Sequence, residues 1–123
     1  MYEEHTFSEL LGKTLTCVKV EEDQISFNTK TEQFKLYHSQ DCCENVTVED
    51  IVGDISDLIG TPILQAEEVI SENKNPEGVT VPNYQDSFTW TFYKLATMKG
   101  YVTIRWYGES NGYYSEAVDF AKL

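Results

Sequence analysis

Basic residues are scarce: nine lysines and arginines, a single arginine among them, stand against 21 acids in 123 residues. The net charge of −12 repels nucleic-acid backbones and anionic membrane surfaces, so neither is expected as a direct partner. No apolar run approaches the ~20 residues that a membrane-spanning helix needs. Prolines number three and glycines seven, and there is no internal repeat or low-complexity tract. The cysteines are Cys17, Cys42 and Cys43. An odd number with two adjacent does not suit a secreted disulfide framework. Neighbours on an extended strand point to opposite faces, so reduced thiols in a cytosolic protein are expected. Met1-Tyr2-Glu3-Glu4-His5 lacks the apolar stretch of a secretory signal. Walker-type phosphate loops, Gly-rich dinucleotide turns, Gly-x-Ser-x-Gly and His-Glu-x-x-His are all missing. With two histidines and no catalytic triplet, we expect no enzyme and no cofactor.

What is present is enough for a core. Hydrophobic residues make up 41%, and the length suits one domain over residues 1–123. Residues 14–20 are rich in Thr and Val. Ile25, Phe27 and Thr29 alternate with polar neighbours, as do Phe34, Leu36 and His38. Period-two patterning across short polar breaks reads as hairpins. Residues 46–52 read as a further strand. Residues 7–11 suit one helical turn or an edge segment. Residues 54–59 suit a short helix, with Asp54 or Ser56 as N-cap and Gly60 as its end. Residues 62–70 admit helix or strand, with a lean to strand. Residues 73–86, holding two prolines, form a long loop. Residues 87–95, 101–107 and 113–120 read as a three-stranded antiparallel meander. Gly100 in its first turn suits a positive φ, and Asn111-Gly112 marks its second turn. The expected class is α+β: a mostly antiparallel β-sheet with this C-terminal meander and one or two short helices.

The charge is concentrated. Residues 36–73 hold nine acids and no lysine or arginine. Such a stretch is either a solvated face or a surface that speeds docking on a cationic partner. Asp41, Glu44, Glu49, Asp50, Asp54 and Asp57 are the candidate contacts. A second candidate lies within it. His38, Cys42 and Cys43 resemble zinc ligands in type, but adjacent cysteines do not follow the usual ligand spacing. We therefore expect no metal there. The acid pairs Glu49-Asp50 and Glu67-Glu68 leave room for a small metal-dependent enzyme using His38 or Cys42, as a distant alternative.

The third candidate is aromatic. Tyr101, Thr103, Arg105 and Tyr107 share one face of their strand, opposite Val102, Ile104 and Trp106. With Tyr93, Asn111 and Tyr113 joining them, Arg105 among tyrosines would suit a phosphate or a stacked base. The same tyrosines would equally suit a packing surface or an interface between copies of the chain.

Four segments carry a family resemblance: Lys35-Leu36-Tyr37-His38-Ser39-Gln40-Asp41-Cys42-Cys43-Glu44, Asp57-Leu58-Ile59-Gly60-Thr61-Pro62-Ile63-Leu64, Thr89-Trp90-Thr91-Phe92-Tyr93-Lys94-Leu95-Ala96-Thr97, and Trp106-Tyr107-Gly108-Glu109-Ser110-Asn111-Gly112-Tyr113-Tyr114-Ser115. The chain resembles a family of small proteins encoded by phages, prophages and similar elements, classed as a domain of unknown function. The resemblance carries over no catalytic residue. It implies a phage accessory protein in the host bacterial cytoplasm. By analogy, such proteins antagonise host processes, antiviral defence among them. The expected function is binding of a basic host effector through the acidic surface. The alternative is sequestration of a small nucleotide around Arg105. A structural component of the virion is a further class.

Overall fold

The computed structural model describes the backbone of residues 3–123 and the side chains of residues 5–123. The strands are β1 (Glu3–Glu4), β2 (Cys17–Val20), β3 (Gln24–Asn28), β4 (Gln33–Tyr37), β5 (Asn45–Val52), β6 (Gln65–Glu72), β7 (Ser87–Thr97), β8 (Gly100–Ser110) and β9 (Asp119–Lys122). Two 3-10 turns, Phe7–Leu10 and Ile55–Leu58, interrupt them. The strands form two antiparallel sheets, in the orders β1-β9-β4-β3-β2 and β5-β8-β7-β6.

One core lies between the sheets. The first contributes Ile25, Phe27, Phe34, Leu36 and Phe120, and the second Val46, Ala66, Tyr93, Leu95, Val102, Ile104 and Trp106. Phe7, Leu10, Leu15, Leu58 and Ile63 close it from the connections. Alternation explains the sheets: β3 and β4 each bury two apolar side chains between less buried neighbours, as a strand with one face on a core must.

The expected mostly antiparallel β-sheet is found, but the α part of the α+β expectation is corrected. Among the described residues there is no α-helix, only the 3-10 turns. Each is four residues long and is halted nearby by a positive-φ glycine, Gly12 after the first and Gly60 after the second. Asp54 does cap the second turn, its carboxylate accepting from the Ser56 amide at 3.0 Å. Within the ambiguous residues 62–70, the chain from Gln65 onward forms strand β6, despite the helix propensity of Gln65 to Glu68, because the edge of β7 offers eight pairing positions.

The meander is also corrected. β7 and β8 pair along their full length from a tight turn, Thr97 opposite Gly100. The third strand does not follow. After Gly112 the chain crosses to the other sheet, and β9 pairs with β4 and β1. Phe120 explains the destination: it stacks on Phe34 with centroids 5.4 Å apart and meets Phe7 edge-on at 5.3 Å. Such aromatic pairs add about 0.5–1.5 kcal/mol each beyond burial. Gly100 does not adopt a positive φ. It is small for space, since a Cβ there would fall 2.7 Å from the Asp57 carboxylate. Gly108 has a similar role on the core face of β8, where a Cβ would meet the Glu116 carbonyl at 2.9 Å and Val46 at 3.1 Å. Its missing side chain lets the crossing segment lie against the sheet.

Candidate binding surfaces

Register decides which aromatics share a face. Phe92 pairs with Arg105 and Trp90 with Tyr107, so these four lie on the outer face of the second sheet. Tyr93 pairs with Ile104 and therefore faces the core. Its ring is wholly buried, and its hydroxyl donates to Glu68 at 2.8 Å. Burial, together with the neighbouring charges of Glu68 and Asp119, pushes that phenol far above its usual range. Tyr93 is thus removed from the expected ligand group.

The outer face is not open either. Arg105 lies over Trp90, 5.5 Å from the ring, and its guanidinium meets Glu49 through Nε and Asp50 at 3.4 Å. A bulge between Val48 and Asp50 brings these adjacent acids to one side. The long loop of residues 73–86 covers the rest. Asn75 accepts from the Trp90 indole at 3.0 Å and exchanges two hydrogen bonds with Gln85. Gln85 also donates to the Tyr107 hydroxyl at 2.8 Å, and Tyr107 donates to Glu109 at 3.1 Å. Desolvation raises the Tyr107 pKa, and Glu109 adds to it. Tyr101 projects outward near the turn end of β8, four residues from Arg105. Asn111 and Tyr113 stand exposed on the crossing segment, Tyr113 being 88% exposed. Only Arg105 and Tyr107 of the six expected ligand residues come together.

The acidic residues divide as sharply. Glu44 is buried, its residue 4% exposed, and is corrected as a surface contact. It accepts from the amides of Asp41 and Cys42, both at 2.9 Å, and meets His38 Nε2 at 2.8 Å. Burial opposes its charge, but the His38 contact and the amide donors outweigh that and hold the carboxyl at about 2. The other His38 nitrogen, Nδ1, meets the Ala117 carbonyl at 2.7 Å. Both ring nitrogens are engaged within the fold, and among the described residues no cluster of three metal-ligating side chains forms.

The same turn corrects the thiol expectation: Cys42 and Cys43 are joined in a disulfide. These residues are not on an extended strand, so alternation does not separate them. The Glu44 carboxylate curls the turn by gathering its amides. Cys17 is free and exposed.

Of the remaining expected contacts, Glu49 and Asp50 are compensated by Arg105. Asp54 is committed to Ser56, whose amide and hydroxyl hold its carboxyl below the usual range. Asp57 is half-buried beside Gly100, and Asp41 is exposed. The acids that sequence reasoning did not single out as contacts are Glu67, Glu68 and Glu72, all exposed on β6. Their signal was their place in the base-free stretch.

Glu68 and Glu72 open onto a cleft. Pairing puts them on the core side of β6 with Ile70, across from Tyr93, Thr91 and Thr89. Beyond Tyr93 this side is covered by the crossing segment instead of the first sheet, leaving a cavity of about 360 Å³. Glu116 braces the segment, accepting from Thr89 at 2.7 Å and from Ser110 at 2.5 Å.

These segments belong to one sequence pattern. A family model covers residues 8–120. The chain belongs to the family described as Domain of unknown function (DUF7448). No curated protein and no solved structure matches it. Among the described residues no helix is long and apolar enough to cross a membrane. The family carries no stated chemistry, so the arrangement of the side chains must supply the functional reading.

Proposed function

We propose that this protein is a non-enzymatic binding protein that docks on a basic host protein through carboxylates its own cations leave free. The reading keeps the context that the resemblance implies: a phage accessory protein antagonising a host process such as antiviral defence, in the bacterial cytoplasm. The observation that supports it best is the exposure of Glu68 and Glu72 on one face of β6, without a salt bridge from a described lysine or arginine, with Glu67 exposed on the other face opposite Lys94. Uncompensated charge of one sign raises the rate of encounter with the opposite sign and weakens with salt.

The nucleotide alternative is less well supported. A phosphate at Arg105 would have to displace Glu49 and Asp50 and would then face both carboxylates. A metal-dependent enzyme at His38 would have to break contacts to Glu44 and Ala117.

Native mass spectrometry after affinity purification from bacterial lysate tests the reading. A basic protein retained in low salt and released in high salt supports it. A small molecule of a few hundred daltons per subunit, retained without any protein, overturns it in favour of the nucleotide.

A further inference from the structure

β6 is the last strand of its sheet, and among the described residues no strand lies beyond its second half. The Asn73 amide donates to the Phe88 carbonyl of β7, which sets the parity of the ladder. Ser71 and Val69 then turn their backbone groups to β7, and Glu68, Ile70 and Glu72 turn theirs outward. An edge of this kind is a template for another strand. Beside it lies the cleft already described, whose wall includes Thr91, a residue only 2% exposed.

We infer that the outer edge of β6 and the adjoining cleft receive an extended basic segment of the partner by strand addition. This inference rests on the proposed docking function and names its mode. The added strand pairs with the outward groups of Glu68, Ile70 and Glu72. Side chains of an extended strand alternate, so every second one turns to the cleft side. A lysine there meets Glu68 and Glu72, with Thr91 as an uncharged acceptor deeper in. The exposed Ile70 side chain supplies apolar contact for the lysine stem. Glu67 and Val69, on the opposite side of the strand, face the alternate residues of the segment. Charge selects the occupant: three carboxylates along six residues disfavour a second copy of the same acidic edge.

The test uses the full chain and an alternating lysine–valine octapeptide as probe. Its control is the same peptide with N-methyl groups on alternate residues, which keeps the charge and blocks pairing. Ile70→Pro removes an outward amide without touching the ladder to β7. We expect the plain peptide to bind in low salt. We expect both the methylated peptide and Ile70→Pro to weaken binding by about tenfold or more, with Thr91→Val giving a smaller loss. Circular dichroism checks that Ile70→Pro folds; if it does not, the methylated peptide alone decides. Equal binding of plain and methylated peptides overturns strand addition but leaves charge-driven docking standing. Absence of binding by the plain peptide overturns this inference too. Docking itself fails if the partner from lysate is retained regardless of salt, or if a small molecule is retained in place of any protein.

Discussion

Arg105 donates to Glu49, so the chain's only arginine is turned toward its acidic stretch and not toward an incoming ligand. That contact joins the two regions that the sequence presents as rival sites. It neutralises part of one and closes the other.

Arg105→Ala is therefore expected to cost stability modestly and leave the fold intact. The pairs with Glu49 and Asp50 are partly exposed and contribute roughly 0–1 kcal/mol. The contact over Trp90 adds about 0.5–1 kcal/mol. Thermal melts in low and high salt check this, and the difference between wild type and variant should narrow as salt rises. The same substitution should leave binding of a basic partner unchanged or slightly stronger.

Glu44→Gln tests the buried turn by its pH dependence. The folded carboxyl titrates at about 2, below its ordinary value of 4.5. Below that ordinary value the unfolded chain binds the proton first, so the contribution is complete above about pH 4.5 and lost as pH falls toward 2. Urea midpoints of the wild type should fall across that window. Those of Glu44→Gln should start lower at neutral pH and fall less steeply. Parallel curves would show that Glu44 does not carry the acid sensitivity.

Gly108→Ala probes the crossing segment. The added methyl meets the Glu116 backbone and Val46, and neither is the free end of a long side chain. The expected loss is about 1–3 kcal/mol, the range for overpacking a filled site. Denaturant unfolding measures it. A neutral result would mean that the segment shifts freely from the sheet.

Much of this fold is legible in the sequence. Ile25, Phe27, Phe34 and Leu36 announce their hairpin by alternation, and Val102, Ile104 and Trp106 announce the core face of β8. Sheet membership is not local information. Asn111-Gly112 signals a turn but not which sheet Phe120 will join, because that depends on Phe34, 86 positions earlier. Tyr93 is misread for a related reason: its face depends on cross-strand register, which one strand's pattern does not contain. Glu44 defeats residue-type reasoning, since acids are rarely buried unless paired, and its partner His38 sits on a neighbouring turn. Gln65-Ala66-Glu67-Glu68 favours helix by propensity, and only pairing with β7 makes it a strand. Glu68 and Glu72, four residues apart, share a face in a helix or a strand, but the cleft beside them depends on the crossing segment, which no local pattern reveals.

The central claim is that free carboxylates on β6 do the docking. The decisive measurement is the salt dependence of affinity for a captured basic partner, compared between two charge-reversed proteins. One carries Glu67→Lys, Glu68→Lys and Glu72→Lys. The other carries Asp41→Lys, Asp54→Lys and Asp57→Lys. The account predicts that the first loses binding and salt dependence together, while the second keeps most of both. Loss confined to the second protein, with the β6 variant binding as the wild type does, would contradict it.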